Sequence, residues 1–130
     1  RSTLGAAPML LDVAHNEEAA RYLALRLQDL QIVGKLRLIL GMLKDKDRAA
    51  VVEQLGALAP EWHLVSLQGP RASSASELQE FVNGPLSSYD SVKAALESLQ
   101  HQVSADDLVL VCGSFLTVTE AIEWQMQQVN

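Results

Sequence analysis

The sequence predicts an α/β fold: an open, mostly parallel, Rossmann-like sheet with helices on both faces. Short apolar runs alternate along the chain with segments whose apolar residues recur at helical spacing. The runs are apolar at successive positions, which is typical of parallel strands buried on both faces. The 130 residues contain no repeat of fixed period and no linker long enough to divide them, so we expect one domain over residues 1–130.

The first strand and helix are expected at residues 9–14 and 16–31. The run 9–14 is apolar apart from Asp12 and stops at a polar triplet. Asn16 is a good N-cap because its side chain accepts a hydrogen bond from a free N–H of the first turn, and two glutamates follow it. Leu30 is expected on the buried face of this helix.

A second strand is predicted at residues 36–40, between two glycines. A loop with alternating lysines and aspartates follows it, and either Asp45 or Asp47 caps a second helix that Pro60 ends. A third strand is predicted at 62–67 and a turn at 69–70. Ser74 and Glu77 have the spacing of a capping box for a short helix to about residue 82.

The polar stretch 84–90 leads into a fourth helix, and no strand is predicted within it. Residues 108–112 form the most apolar run in the chain and are predicted to be a central strand. The last helix is expected at 115–126, with Ile122 and Met126 among its packing residues.

The composition excludes several classes of function. Sixteen Asp and Glu against ten Lys and Arg give a formal net charge of −6, which argues against nucleic acid and anionic membrane as partners. No apolar run approaches the roughly 20 residues that span a bilayer. A single cysteine forms no internal disulfide, and a cytoplasmic location is expected. Because the sequence starts at Arg1 without Met, we expect it to be a piece of a longer protein.

Ligands of open α/β sheets bind beyond the C-terminal ends of the strands, where four loop segments follow the predicted runs: 12–16, 41–47, 69–74 and 113–117. The first segment combines the acid Asp12, the imidazole His15 and the carboxamide Asn16 before a helix N-terminus suited to phosphate. The alternative is that Asn16 only caps its helix, that His15 is a surface loop residue, and that Asp12 satisfies neighbouring backbone donors.

The other three segments offer groups for an anion. Lys44 or Lys46 could meet an anionic ligand, and Arg71 suits bidentate contact with a carboxylate or phosphate. Ser114 follows a glycine and offers a hydroxyl. The alternatives are a solvated loop, a surface turn and a helix cap, respectively.

Several motifs are missing from the sequence. It has no G-x-x-x-x-G-K-[ST] loop and no G-x-G-x-x-G after the first strand, so neither a complete ATPase nor a standard dinucleotide fold is expected. Its three histidines are widely spaced, and no protein-bound metal is predicted. Cys112 lies within the last strand, where a buried thiol is more plausible than a nucleophile.

Four motifs carry a resemblance to a known family. Residues 11–16 (LDVAHN) resemble the D-x-A-H-N signature that opens the C-terminal domain of the Mur ligase superfamily. Residues 41–47 (GMLKDKD), 69–72 (GPRA) and 111–115 (VCGSF) resemble the folate branch, the bacterial dihydrofolate synthase/folylpolyglutamate synthase family. One position departs from the signature, since Glu17 stands where proline often follows the asparagine, and this affects helix initiation more than chemistry.

The resemblance implies an ATP-dependent amide ligase that uses Mg²⁺. In that family ATP converts the carboxylate of dihydropteroate or a folate to an acyl phosphate, and the amine of L-glutamate displaces the phosphate. The resemblance places Asp12, His15 and Asn16 at the nucleotide, and Lys46, Ser114 and, on fewer grounds, Arg71 on the glutamate side. It also implies that an N-terminal domain, absent from this chain, carries the ATP-binding P-loop and the Mg²⁺, so that this chain holds no catalytic or metal-binding residue of its own and is inactive alone.

Two alternatives remain open from the sequence. One is the C-terminal domain of a peptidoglycan-building Mur ligase, which shares the first motif and the two-step reaction. The other is a non-catalytic binding module on a flavodoxin-like sheet, in which the same loops are only caps and turns.

Overall fold

The structure is a computed structural model that describes residues 2–128. The expectation of a longer protein depends on Arg1, which lies outside the described residues. The strands are β1 (Ser2–Leu4), β2 (Ala7–Asp12), β3 (Leu36–Leu40), β4 (Glu61–Val65), β5 (Leu86–Tyr89) and β6 (Leu108–Cys112). The helices are α1 (Glu17–Gln28), α2 (Arg48–Gly56), α3 (Ala75–Gln79), α4 (Val92–Leu99) and α5 (Phe115–Gln128).

The six strands form one sheet in the order β1-β2-β6-β3-β4-β5. Strands β2 to β6 pair in parallel, and β1 pairs with β2 in the antiparallel direction. The predicted open, mostly parallel α/β sheet is therefore confirmed. The strand at residues 108–112 is central, as predicted, because β6 lies between β2 and β3.

Helices cover both faces of the sheet, and alternate residues of each strand point to opposite faces. Leu38 and Leu40 of β3 pack with α1, α2 and α3, whereas Ile39 packs with α4 and α5. Trp62 and Trp124 are 2% and 5% exposed, so both tryptophans pack inside, one on each face.

The sequence reading missed two strands, β1 and β5. Both lie at the edges of the sheet. β5 has the polar sequence LSSY, and two of its four residues are exposed, so it lacks the apolar run that marks an inner strand. β1 is three residues long and folds back through Gly5, whose φ is +54°, into the start of β2.

The predicted helix caps are confirmed, but some helix lengths and faces were wrong. Asn16 accepts from Ala19 N, and Ser74 and Glu77 form the capping box. Asp47 caps α2, which settles the choice between the two aspartates. Three residues predicted to pack inside are exposed. Leu30 lies beyond α1, which ends at Gln28. Ile122 and Met126 lie on the outer face of α5, whose inward-pointing residues are Thr117, Ala121 and Trp124.

A polar network crosses the sheet near the N-terminal ends of the strands. Arg37 of β3 is 8% exposed, and its guanidinium contacts Asp107 at 3.2 Å and Glu61 at 3.0 Å. His63 continues the network, with Nε2 donating to Glu61 at 2.8 Å and Nδ1 2.9 Å from the Tyr89 hydroxyl. The network lies at the edge of the sheet opposite the predicted binding loops.

Burial and hydrogen bonding shift three pKa values in this network. Burial lowers the pKa of His63 despite the opposing effect of the Glu61 carboxylate. For Glu61, burial alone raises the pKa, but the hydrogen bond from His63 and the charge of Arg37 outweigh it and lower the value. For Asp107, burial is likewise outweighed by hydrogen bonds from the backbone of Lys35 and Ser104 and by the charge of Arg37, so its pKa is lowered.

Candidate functional site

The four predicted loop segments meet at one edge of the sheet. Because β2, β6, β3 and β4 are parallel, their C-terminal ends lie on the same side. Cys112 pairs with Asp12 on one neighbouring strand and with Leu40 on the other, so the loops that follow these strands start at the same level. The sheet thus brings segments that are up to 100 residues apart to one rim.

A cavity of about 500 Å³ opens at this rim, and four residues predicted for the site line it. They are His15 after β2, Lys46 after β3, Arg71 after β4 and Ser114 after β6. Each comes from a different loop. The arrangement therefore offers three nitrogen-bearing side chains and one hydroxyl around a space that fits a small ligand.

The remainder of the cavity wall is largely apolar, and all of its residues except Gln68 lie within the predicted loop segments, although none was itself predicted to bind a ligand. They are Leu43, Gln68, Gly69, Pro70, Ala72, Phe115 and Leu116. Phe115 is 69% exposed, although it lies only three residues after the end of the central strand β6. A large apolar side chain at a polar rim was a usable sequence signal for a ligand contact.

Asp12 and Asn16 lie outside this cavity's lining. Asp12 Oδ1 accepts a hydrogen bond from Ala14 N at 2.9 Å, which leaves Oδ2 for another partner. Asn16 Oδ1 accepts from Ala19 N at 2.8 Å as the cap of α1, and the residue lines a second cavity with Tyr22 and Leu25. His15 and Asn16 are thus adjacent in sequence but face two different spaces, and Asp12 lines neither of them.

His15 connects the first motif to the main cavity. Its Nδ1 lies 3.1 Å from the carbonyl oxygen of Val13, and since a carbonyl only accepts, Nδ1 carries a proton and donates. Nε2 has no hydrogen-bond partner among residues 2–128. The ring also lies 6.5 Å from that of Phe115, centroid to centroid, so imidazole and phenyl ring form one wall.

The structure distinguishes the two lysines that the sequence reading left unresolved. Lys44 Nζ lies 3.9 Å from Glu77 Oε2, which Arg48 also approaches at 3.8 Å. Lys46 instead lines the cavity and, within the described residues, makes no ion pair. Of the two lysines, Lys46 is therefore the one whose side chain borders this cavity.

The loop after β3 is tied to the turn after β4. Lys44 N donates to the carbonyl of Arg71 at 2.7 Å, and Leu43 and Ala72 form an isolated β-bridge. The exposed Arg71 guanidinium lies 3.5 Å from Asp45. Two walls of the cavity are thus held together by backbone hydrogen bonds.

Ser114 is buried at the N-terminus of α5 and hydrogen-bonds within the fold. Its Oγ accepts from Thr117 N at 3.2 Å and lies 3.1 Å from Thr117 Oγ1. Thr117 Oγ1 in turn donates to the carbonyl of Gly41 at 2.8 Å. Thr117 ends the predicted segment 113–117 but was given no role of its own, although the spacing Ser-x-x-Thr after a strand and glycine was a usable signal for such a cap.

Cys112 is a core residue, as predicted. It is fully buried at the end of β6, and burial, together with the nearby charge of Asp12, raises the pKa of its thiol. A thiol held in this protonated form is a poor nucleophile.

Residues 2–128 contain neither a metal-binding cluster nor a membrane-spanning helix. No three His, Cys, Asp or Glu residues between 2 and 128 are grouped so that they would hold a metal ion. No helix in that stretch combines the length and the apolar character that crossing a bilayer requires.

Comparisons with known proteins agree in one family. Residues 2–115 match the sequence model of the family described as Mur ligase, glutamate ligase domain. The chain is 40% identical over 115 residues to the dihydrofolate synthase/folylpolyglutamate synthase of Escherichia coli (strain K12), covering 88% of this chain and 27% of that protein. The chain thus spans under a third of the length of this relative.

Two solved structures resemble the whole fold. E. coli FolC in complex with DHPP and ADP matches with a TM-score of 0.92 at 35% identity, covering 100% of this chain and 31% of that one. A bifunctional folylpolyglutamate synthase/dihydrofolate synthase with Mn, AMPPNP and L-glutamate bound matches with a TM-score of 0.88 at 36% identity, covering 97% and 30%.

Proposed function

The chain belongs to the Mur ligase glutamate ligase domain family, and we propose that it serves as the C-terminal domain of an ATP-dependent ligase that joins L-glutamate to dihydropteroate and to folates. The observation that carries the proposal is the cavity where His15, Lys46, Arg71 and Ser114 meet from four loops. The proposed substrates are taken from the names of the similar proteins, and further domains are expected because those proteins have longer chains.

The proposed reaction has two steps. ATP transfers its γ-phosphoryl group to the carboxylate of the pteroate or folate, which gives an acyl phosphate and ADP. The α-ammonium of L-glutamate first loses a proton to solvent, and the free amine then attacks the acyl carbon. The amide forms as phosphate leaves and the nitrogen releases a second proton. Because water competes with the amine for the acyl phosphate, the site must exclude water, and the apolar wall that includes Leu43, Pro70 and Phe115 suits that task.

In this proposal Lys46 and Arg71 face the two carboxylates of L-glutamate. Both cations line the cavity, and Lys46 has no competing ion pair among the described residues. The Arg71 guanidinium lies 3.5 Å from the Asp45 carboxylate, and both side chains are exposed to solvent. A ligand carboxylate can therefore compete with Asp45 for Arg71. Ser114 also lines this space, immediately before α5.

Asp12, His15 and Asn16 are proposed to face the nucleotide. Asp12 Oδ1 accepts the hydrogen bond from Ala14 N, and Oδ2 is the oxygen left to accept from the ribose hydroxyls. His15 Nε2 is directed away from the Val13 carbonyl and can meet a phosphate oxygen or a base edge. Asn16 uses its oxygen as a helix cap, so its amide NH₂ is the group left for a ligand.

The described residues of this chain do not suit the Mg²⁺ that such a reaction uses. They contain no cluster of three metal-binding side chains, and the sequence has no phosphate-binding glycine loop. We therefore assign Mg²⁺ and the triphosphate to an N-terminal domain of the parent protein, with this chain as the partner that closes over them. The isolated chain is accordingly expected to have no ligase activity.

The test uses the parent protein that contains this chain, with the 130-residue chain as a control. We expect the parent to incorporate radiolabelled L-glutamate into dihydropteroate when ATP and Mg²⁺ are present, and the isolated chain to incorporate none. His15→Ala should lower kcat/KM about 10- to 100-fold, whereas His101→Ala, an exposed residue far from the cavity, should not. Turnover of a UDP-linked muramyl substrate in place of dihydropteroate, or full activity of His15→Ala, would contradict the proposal.

A further inference from the structure

Residues 71–73 (the strap) attach the turn after β4 to the loop after β3. The last residue of the strap, Ser73, donates its N–H to the carbonyl of Met42 at 2.9 Å and is 0% exposed. The strap begins with Arg71, which lines the main cavity. Its placement therefore sets where the cavity wall with Arg71 lies relative to the loop with Lys46.

Arg48 is the side chain that reaches the strap. It is the first residue of α2, and its Nη1 donates to Ser73 Oγ at 3.0 Å. The same nitrogen lies 3.8 Å from Glu77 Oε2 of α3, and the guanidinium carbon lies 5.1 Å from the ring centroid of Phe81. The Arg48 side chain is only 22% exposed. One arginine thus joins the start of α2 to the strap and to α3.

The backbone of Arg48 holds the second cationic wall of the cavity. Arg48 N donates to the carbonyl of Lys46 at 2.9 Å, and Lys46 N donates to the carbonyl of Leu43 at 3.3 Å. Lys46 is therefore fixed between α2 and the segment that pairs with the strap. Through its backbone and its side chain, Arg48 contacts the segments that carry both Lys46 and Arg71.

Helix stability does not account for an arginine at this position. The N-terminal end of a helix carries a partial positive charge, so a cation in the first turn is unfavourable. The first turn of α2 contains no acidic residue, and the adjacent cap Asp47 uses one carboxylate oxygen to accept from Ala50 N. Residues that break a local rule and make specific tertiary contacts are often found at functional sites.

We propose that Arg48, through its hydrogen bond to Ser73, is a positioning residue that sets the spacing of Lys46 and Arg71 and thereby selects the length of the dicarboxylate bound between them. The identity of the ligand rests on the proposed function, in which these two cations face the carboxylates of L-glutamate. L-Aspartate is one methylene shorter and L-2-aminoadipate one methylene longer. A fixed spacing disfavours both homologues, and a loosened strap disfavours them less.

The first experiment offers the parent protein an equimolar mixture of the three amino acids with dihydropteroate, ATP and Mg²⁺. Counting the products by mass spectrometry gives the ratios of the kcat/KM values. Arg48→Met keeps an unbranched side chain that can pack on Phe81 but removes the charge and the hydrogen bond. It should lower the preference for L-glutamate over each homologue about 3-fold or more and raise the KM for L-glutamate about 10-fold. The KM for ATP should change less than about 2-fold, because the strap lies on the glutamate side.

A merely structural role of Arg48 gives a different result. A loss of folding lowers the amount of active protein for every substrate equally and leaves the product ratios unchanged. Arg26→Met is the matched control, because it makes the same chemical change at an exposed position of α1 away from the cavity. It should leave the ratios and both Michaelis constants unchanged.

A double-mutant cycle tests whether Arg48 acts through Ser73. Ser73→Ala removes only the acceptor of the hydrogen bond from Arg48. The double variant Arg48→Met/Ser73→Ala should therefore be no more impaired in KM for L-glutamate than Arg48→Met alone.

The second experiment tests the strap without any ligand. In amide hydrogen exchange of the 130-residue chain, Arg48→Met should speed the exchange of Lys44 and Ser73 about 10-fold, because both N–H groups bond between the strap and the loop after β3. The amides of the central strand β6 should keep their rates.

Each outcome has a distinct meaning. Unchanged product ratios in Arg48→Met, or additive effects of the two substitutions in the double variant, would overturn the proposal. Unchanged exchange of Lys44 and Ser73 would show that the guanidinium does not hold the strap, and would overturn it as well. If the unaltered parent protein incorporates none of the three amino acids, the proposed function fails and the ligand assignment fails with it, while faster exchange in Arg48→Met would still establish that Arg48 holds the strap.

Discussion

Asp107 Oδ2 lies 3.2 Å from Arg37 Nε, and this buried ion pair ties the turn before β6 to β3. Asp107 also accepts from the backbone N–H groups of Lys35 and Ser104 at 2.8 and 3.1 Å. One carboxylate therefore satisfies three donors in a region where unpaired polar groups are costly.

Asp107→Ala should lower the free energy of unfolding by about 3 kcal/mol, because it leaves Arg37 with a partly uncompensated buried charge. Urea denaturation followed by circular dichroism measures the change. Asp106→Ala is the control, since the neighbouring side chain is exposed and its loss should change the value by less than about 0.5 kcal/mol. Equal effects of the two substitutions would show that the ion pair adds nothing.

His63 should make stability depend on pH between about 5.5 and 7.5. Burial lowers the pKa of His63 in the folded chain, so the unfolded chain binds a proton first as the pH falls through 6.5, its ordinary value. Stability is thus present above that pH and decreases below it. The pKa values of Glu61 and Asp107 are lowered from 4.5 and 3.8, so these carboxylates titrate below this window.

The measurement is the free energy of unfolding in urea at pH 7.5 and pH 5.5. His63→Gln should show a smaller decrease between these pH values than the unaltered chain. His101→Gln, which replaces an exposed histidine, should keep the original decrease. An unchanged pH dependence in His63→Gln would assign the effect to other groups.

Gly113→Ala should be among the most destabilising single changes at the rim. Gly113 has φ +116°, and an added Cβ would overlap the Gly41 carbonyl oxygen, which the Thr117 hydroxyl holds in place. Backbone strain and overlap together should cost about 3 kcal/mol or more. Gly84→Ala is the matched control, because Gly84 has φ +126° with nothing within 4 Å of the added atom, and it should cost about 1 to 2 kcal/mol. Urea denaturation measures the free energy of unfolding of both variants. Equal losses would show that Gly113 does not lie against the Gly41 carbonyl as described.

Lys46→Met and Lys44→Met should separate the two lysines functionally. Lys46 lines the cavity, whereas Lys44 approaches Glu77 at 3.9 Å. In the parent protein, Lys46→Met should raise the KM for L-glutamate about 10-fold, and Lys44→Met should change it less than 2-fold. Steady-state kinetics at saturating ATP measures both. A larger effect of Lys44→Met would reverse the assignment of the two side chains.

Much of the fold was predictable because its inner strands are local apolar runs. Residues 36–40 and 108–112 match β3 and β6 residue for residue, and the caps at Asn16 and Ser74 were evident from side-chain chemistry. The edge strand β5 was not predictable, because a strand paired on one side keeps polar residues.

The site was predictable only in part. The rule that ligands bind at C-terminal strand ends selected the loops of His15, Lys46, Arg71 and Ser114, and these loops do line one cavity. The same rule placed Asn16 with His15, whereas the first turn of α1 directs Asn16 to a neighbouring space.

The sequence by itself determined the alternation of strands and helices, the helix caps and the set of loops that reach the rim, since each depends on residues close together in the chain. Only the tertiary structure decided that Lys46 rather than Lys44 faces the cavity and that Arg37 pairs with the buried Asp107. It also decided that the Thr117 hydroxyl meets Gly41, 76 residues away. These relationships depend on strand order, which places β6 beside β3, and no local pattern of residues encodes that neighbour.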